Sequence, residues 1–149
     1  MTTGNDIRRA RPHDLDRLVA MHRMFCELDH HPFDDTRARA AFVPLLNDDT
    51  HGVVWLSDRP ESYAVLTWGW SIEAGGREAV LDEIFVSERG GGHGSSLIEH
   101  LVADAEQRNI ARIFLETESH NDRVRRLYER HGFVVDDSIW MSREFTDLS

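Results

Sequence analysis

The fold is decided by residues 80–98, which read Val80-Leu81-Asp82-Glu83-Ile84-Phe85-Val86-Ser87-Glu88-Arg89-Gly90-Gly91-Gly92-His93-Gly94-Ser95-Ser96-Leu97-Ile98. A β-prone apolar run leads into four glycines within five residues, and a helical pattern follows at once. Glycine permits positive φ and lets a ligand approach without meeting a Cβ. The following helix directs its first N–H groups and the positive end of its dipole to the same place. The stretch therefore predicts a binding site for a phosphate or pyrophosphate.

Two common phosphate motifs are excluded in this stretch. A P-loop requires a lysine, and the chain contains none, since all 17 basic residues are arginine. The dinucleotide fingerprint Gly-x-Gly-x-x-Gly also fails, because Ser95, Leu97 or Glu99 would occupy its last position. What fits is Arg-x-x-Gly-x-Gly, formed by Arg89, Gly92 and Gly94.

Composition predicts one domain over residues 1–149, with 40% hydrophobic residues as in ordinary globular proteins. No run of 18 apolar residues and no basic-apolar leader occur, so neither a membrane span nor a signal peptide is expected. Cys26 is the single cysteine, which excludes an internal disulfide and favours a cytoplasmic location. It lies on the apolar side of a helical pattern, where we expect a buried, inert thiol.

The net charge of −10 argues against a nucleic-acid partner and favours cationic substrates. The segment 29–35 contains two histidines and three aspartates, but no helical His-x-x-x-His or Cys-x-x-Cys spacing accompanies them. No metal site is therefore predicted there.

Periodicity along the chain predicts an α/β order of elements. Helices are expected over residues 12–28, 36–46, 95–107 and 121–130, the last stopped by Gly132. Strands are expected over residues 6–11, 51–57, 62–71, 78–86, 111–118, 133–135 and 139–145. The strand–helix–strand sequence around residues 95–107 implies one parallel pair in an otherwise antiparallel sheet.

This order, together with two motifs, resembles the GNAT N-acetyltransferase family over nearly the whole chain. One motif is the loop Arg89–Ser95, and the other is the segment Asn121–Phe133, similar to the family's Asn…Tyr…Gly-Phe pattern. Val124 stands where a small residue is usual in the family. The resemblance implies a mixed, mostly antiparallel sheet with a splayed parallel strand pair and about four flanking helices.

The resemblance also implies the acetyl-CoA contacts. After a bulge in the first splayed strand, main-chain groups of Ile84, Phe85 and Val86 would pair with the pantetheine arm, and Asn121 would contact the arm from the other side. The pyrophosphate would be taken by the loop residues Arg89, Gly90, Gly91, Gly92, His93, Gly94 and Ser95. No metal is implied.

Three residues are candidates for the chemistry. In the resemblance, Tyr128 donates a proton to the coenzyme A sulfur. The pattern Leu81–Val86 is similar to that of polyamine acetyltransferases and puts the base that accepts the amine proton at Asp82, with Glu83 or a water chain as alternatives. Along a regular strand Asp82 and Glu83 would face opposite sides of the sheet.

The resemblance therefore implies acetyl transfer from acetyl-CoA to a primary amine by direct attack in a ternary complex. The expected acceptor is a small cationic molecule, such as a polyamine, an aminoglycoside or an amino-acid-like compound. The alternatives are acetylation of a protein N-terminus or lysine, and a CoA-binding sensor without turnover. A homodimer is expected through the C-terminal strands, where Trp140, Met141 and Phe145 supply apolar surface.

Overall fold

The computed structural model describes residues 6–88 and 90–145 of the 149-residue chain. The strands in this part are β1 (Ile7–Arg9), β2 (Gly52–Asp58), β3 (Glu61–Ser71), β4 (Gly76–Val86) and β5 (Arg112–Phe114). The α-helices are α1 (Leu15–Asp29), α2 (Asp35–Asn47), α3 (His93–Gln107) and α4 (Asp122–Arg130), and a 3₁₀ turn, Pro12–Asp14, precedes α1.

The strands form one sheet in the order β1-β2-β3-β4-β5. The first three neighbouring pairs are antiparallel, and β4 pairs with β5 in parallel. Because α3 lies between β4 and β5 in the chain, the parallel pair is reached through a helical crossover, as parallel strands require. The predicted mixed sheet with one parallel pair is confirmed.

The hydrophobic core lies on both faces of this sheet. On one face α1 and α2 bury Leu18, Met21 and Phe42 against β-strand side chains that include Tyr63 and Val65. On the other face α3 buries Leu97, Ile98 and Leu101, and it packs on β3 and β4. The period of 3.6 in the helices and of 2 in the strands places these apolar residues inward.

The chain divides into two compact units between Glu116 and Thr117. The first contains β1 to β5 with α1, α2 and α3, and the second contains α4.

The C-terminal strand predictions are wrong within the described residues. Residues 133–135 and 139–145 form no strand, and β5 covers only Arg112–Phe114 of the predicted 111–118. A β-prone run becomes a strand only where a neighbouring strand supplies hydrogen-bond partners. Three residues of β5 find such partners on β4, at Glu78–Val80. The apolar side chains Val134 and Ile139 are instead exposed.

Helix boundaries agree more closely with the sequence. Gly132 has a φ of +90° and follows His131, the C-cap of α4, which confirms the glycine as the residue that stops this helix. The helix α3 begins at His93, two residues earlier than predicted. His93 and Gly94 therefore belong to the first helical turn, where N–H groups point out of the helix end.

Candidate active site

A β-bulge in β4 organises the two candidate carboxylates. On β3, Val65 pairs with Glu83 and the next residue, Leu66, pairs with Leu81, so Asp82 is the extra residue. Adjacent β3 residues face opposite sides of the sheet, which puts Glu83 with Val65 on the α1–α2 side. Leu81 pairs with Leu66 and therefore faces the opposite side. Asp82, the next residue along the strand, points back to the α1–α2 side together with Glu83. The opposite orientation expected of Asp82 and Glu83 does not hold, because the bulge interrupts the alternation.

Glu83 is held by two partners from other elements. The Tyr63 hydroxyl donates a hydrogen bond of 2.7 Å to its Oε1 atom. The same oxygen lies 2.9 Å from His22 Nδ1 on α1. The Glu83 and His22 side chains are both 19% exposed, so the pair is largely shielded from water. The cluster formed by His22, Tyr63, Asp82 and Glu83 is called the carboxylate cluster below.

Sequence reasoning missed two members of this cluster. The sequence patterns assigned no role to His22, in the helix predicted over residues 12–28, or to Tyr63, in the strand predicted over residues 62–71. The signal for His22 was a titratable side chain in an otherwise apolar helix stripe, since such a group needs a polar partner when buried. The identity of that partner depends on how α1 packs on β4, which no local pattern contains.

Three members of the cluster, His22, Tyr63 and Asp82, have shifted pKa values. Loss of hydration raises the pKa of the Asp82 carboxyl, the Glu83 charge raises it further, and His22 lowers it. The Asp82 residue as a whole is exposed, but nearby protein atoms displace part of the water around its carboxyl group. The hydrogen bond to Glu83 raises the pKa of His22 against the opposing effect of burial. Burial raises the pKa of Tyr63, which stays a neutral donor.

Aromatic rings surround His22 on its apolar sides. Phe25 stacks on the imidazole at a centroid distance of 6.2 Å, and Phe33 and Phe42 lie at 5.8 and 6.0 Å. Its other ring nitrogen, Nε2, is 3.5 Å from Cys26 Sγ. Cys26 is buried, as expected, and burial raises the pKa of its thiol, which disfavours the reactive thiolate.

Beyond the bulge, β4 parts from β5. The parallel pairs stop at Val80 and Phe114, whereas β4 continues to Val86 and remains paired with β3 as far as Ser62. Within the described residues, Ile84, Phe85 and Val86 thus have a ladder partner on the β3 side and none on the β5 side. An extended ligand could add to that edge as another strand would.

The glycine loop has the open backbone expected of a phosphate cradle. Gly90 and Gly92 have φ values of +87° and +77°, and a Cβ at either would meet nothing within 4 Å. A side chain at Gly91 would collide with the His93 ring. Gly92 is the N-cap of α3, and no side chain caps the helix there. Arg89 lies outside the described residues.

The second unit holds Asn121 and Tyr128. Asn121 is the N-cap of α4, and its Oδ1 atom accepts a 3.2 Å hydrogen bond from the Val124 N–H. Tyr128 is buried and makes an edge contact with Phe133 at a centroid distance of 5.7 Å. Burial raises the pKa of its phenol to about 12. Within residues 117–145, no hydrogen bond to its hydroxyl is formed.

Two further features of the described residues concern metal binding and membrane insertion. Among residues 6–88 and 90–145, no three His, Cys, Asp or Glu side chains are arranged to hold a metal ion. In the same part of the chain, no helix has the length and apolar character needed to cross a membrane.

Comparison with known proteins gives a family match and several matches in fold. Residues 14–133 match the family model described as Acetyltransferase (GNAT) family. No curated protein matches the chain.

Three solved structures illustrate the likeness in fold. An integron cassette protein from the mobile metagenome of Cole Harbour Salt Marsh has a TM-score of 0.86 at 24% identity, over 98% of this chain and 94% of that chain. An aminoglycoside N-acetyltransferase in complex with CoA has a TM-score of 0.75 at 18% identity, over 93% of each chain. A ribosomal-protein-alanine N-acetyltransferase from Brucella melitensis biovar Abortus 2308 has a TM-score of 0.70 at 22% identity, over 93% and 98%.

Proposed function

The chain belongs to the acetyltransferase (GNAT) family and is an acetyl-CoA-dependent N-acetyltransferase, and we propose that its acceptor is the primary amine of a small cationic molecule. Polyamines, aminoglycosides and amino-acid-like amines have the required chemistry. The observation that carries this proposal is the pair of carboxylates that the β4 bulge puts on one side of the sheet. Two negative charges there, in a protein of net charge −10, attract an alkylammonium.

Asp82 is proposed as the base. An alkylammonium with a pKa of about 10 must lose a proton before its nitrogen can attack. Oε1 of Glu83 already accepts from Tyr63 and contacts His22, so this oxygen is occupied and less available to take a proton from an amine. Asp82 is exposed and has a raised pKa, so it takes up a proton more readily. Glu83 and a water chain are the alternative acceptors.

The proposed CoA-binding residues fall into three groups. The N–H groups of the loop from Gly90 to Ser95, at the positive end of α3, would hold the pyrophosphate, with Arg89 added from the family resemblance. Ile84, Phe85 and Val86 would offer their unpaired edge to the pantetheine arm. Asn121 would contact that arm as in the family. Acetyl-CoA, when bound, supplies the activated acetyl group, and the reaction would proceed by direct attack in a ternary complex.

Tyr128 is proposed as the proton donor to the departing sulfur. The other tyrosine, Tyr63, already donates its hydroxyl to Glu83. A phenol with a pKa of about 12 is protonated throughout the neutral range and can donate a hydrogen bond to developing negative charge. The single domain over residues 1–149 and the cytoplasmic location stay predictions.

The phosphate loop is tested by Gly92→Asp. The substitution puts a carboxylate where backbone would contact pyrophosphate, so we expect CoA affinity to fall at least ~10-fold, or ~1.4 kcal/mol. Calorimetry measures this affinity. Gly75→Asp is the matched control, because Gly75 has a φ of +84°, open space around its Cβ position, and lies in the β3–β4 turn. Equal CoA affinities in the two folded variants would contradict the loop assignment.

A homodimer is proposed from the exposed apolar surface of the second unit. Trp140, Met141 and Phe145, which lie close together in the chain, are 63%, 92% and 86% exposed, and exposed apolar surface is typical of an interface. Light scattering is expected to give twice the 17.2 kDa mass of one chain. A 17.2 kDa species that persists at high protein concentration would rule the dimer out.

The acceptor is tested by thiol release from acetyl-CoA across a panel of amines and peptides. Polyamines and aminoglycosides are expected to release thiol well above the rate with water alone. Faster release with alanine-terminated or lysine-containing peptides would favour acetylation of proteins. Tight CoA binding without release for any panel member would favour a CoA-binding sensor.

A further inference from the structure

The β4 bulge creates an electrostatic problem that the proposed base alone does not solve. Asp82 and Glu83 are consecutive residues on one side of the sheet, so their negative charges repel. Repulsion of this kind raises the pKa of Asp82, in addition to the larger effect of lost hydration, and so favours its protonated form, which could not accept a proton from an amine. A countercharge near both would remove this obstacle.

His22 is positioned to be that countercharge. Its Nδ1 atom lies 2.9 Å from Glu83 Oε1, and it is the basic group in the described part of the chain whose charge lowers the pKa of Asp82. Nδ1–H can donate to Glu83 in the neutral tautomer and in the imidazolium, and the hydrogen bond to this carboxylate raises the pKa of His22, which favours the charged form.

The charge of His22 depends on the titratable and apolar groups that surround its ring. The titratable groups are Glu83 and Asp82 from β4, Tyr63 from β3 through its bond to Glu83, and Cys26 from α1. The apolar groups are the rings of Phe25, Phe33 and Phe42. The two carboxylates are therefore the groups that favour the charged imidazole, while the rings limit its hydration.

We propose that His22 is a positioning residue of the acetyl-transfer reaction, whose imidazolium, held by Glu83, keeps Asp82 free to accept the amine proton. One imidazolium against two carboxylates leaves a net charge of −1, which still attracts an alkylammonium. The arrangement gives the carboxylates separate tasks. Oε1 of Glu83 holds the imidazolium of His22 and also accepts the hydrogen bond from Tyr63, while Asp82 accepts the proton from the amine. The inference rests on the proposed function, because it assumes an amine acceptor and Asp82 as base.

Two substitutions in the carboxylate cluster should shift the pH dependence in opposite directions. His22→Asn keeps a donor near Glu83 and removes the positive charge, so the acid limb of kcat/KM should move to higher pH by on the order of one unit. Glu83→Gln removes the repelling charge, so the acid limb should move to lower pH. His13→Asn, at an exposed histidine in the turn before α1, is the matched control and should leave the limb in place. Absence of a shift in His22→Asn, with folding intact, would overturn the proposal.

NMR titration of the imidazole rings tests the same arrangement without any acceptor. The resonance that disappears in His22→Asn identifies His22 among the nine histidines. Its midpoint should lie above 6.5, the ordinary pKa of a histidine, and should fall in Glu83→Gln. A midpoint that does not respond to Glu83→Gln overturns the proposal, even if no amine is acetylated. If no amine in the panel released thiol, the proposed acceptor would be contradicted. The charge arrangement around His22 would still be tested by this titration.

Discussion

Tyr128→Phe is expected to lower kcat by about 10²–10⁴-fold, the usual range for loss of a general acid. The loss corresponds to about 2.7–5.4 kcal/mol of transition-state stabilisation. The substitution removes one oxygen and keeps the ring that contacts Phe133, so α4 and its C-terminal end should keep their structure. CoA affinity should therefore change little. Steady-state kinetics at saturating substrates and calorimetry with CoA measure the two effects separately.

Tyr63→Phe is the matched control for this experiment, because it removes the same hydroxyl from the other of two tyrosines. The Tyr63 hydroxyl donates to Glu83, so its loss affects the carboxylate cluster. A hydrogen bond to a charged group is worth about 1.5–3 kcal/mol, and the effect should appear mainly as a shifted pH profile. Near wild-type kcat in Tyr128→Phe would reduce Tyr128 to a core residue.

The raised pKa of Tyr128 makes a prediction about alkaline pH. Because burial raises the phenol pKa to about 12, the proton donor stays protonated below that value. No fall in kcat from ionisation of Tyr128 is expected up to pH ~10, where an ordinary tyrosine would be half ionised. A contrary result would be a fall in wild-type kcat near pH ~10 that is absent in Tyr128→Phe. Such a fall would show that the pKa of the Tyr128 phenol is not raised, against the effect expected from its burial.

The features that sequence predicted well are local ones. The left-handed conformation of Gly132 is required by the way a helix ends, and the conformations of Gly90 and Gly92 belong to a turn between a strand and a helix. The parallel pairing of β4 with β5 follows from the intervening helix α3. The glycine conformations depend on residues close together in the chain, and the parallel pairing depends on the order of consecutive elements, so a pattern is enough to predict them.

The features that sequence missed depend on contacts between distant residues. The shared side of Asp82 and Glu83 depends on the register between β3 and β4, and a bulge of one residue reverses a side-chain orientation. The contact of His22 with Glu83 joins residues 61 positions apart. The runs at 133–135 and 139–145 have strand-like composition, but strand formation requires a partner. Asn121 is the N-cap of α4, a structural role that its match to the family pattern did not indicate.

Asp82→Asn is expected to reduce kcat/KM strongly at low pH and much less at high pH. The carboxylate is proposed both to accept the amine proton and to attract the cation, and its loss as a base costs on the order of 10²–10⁴-fold where deprotonation limits the rate. Near the amine pKa of about 10, solvent supplies the free amine, and part of the activity should return. A profile of kcat/KM against pH, measured with the best amine of the panel, checks this difference.

The stability of Asp82→Asn separates the catalytic role from a structural one. A carboxyl with a raised folded-state pKa holds its proton more tightly in the folded than in the unfolded protein, so its ionisation destabilises the fold as pH rises through that interval. The amide cannot ionise, and the variant should therefore be at least as stable as wild type at neutral pH in chemical denaturation. Asp16→Asn, on the exposed face of α1 and paired with Arg39, removes the same charge away from the bulge and should leave kcat/KM unchanged. An equal loss of kcat/KM at every pH in a stable Asp82→Asn enzyme would give Asp82 a binding role and assign the proton to Glu83 or water.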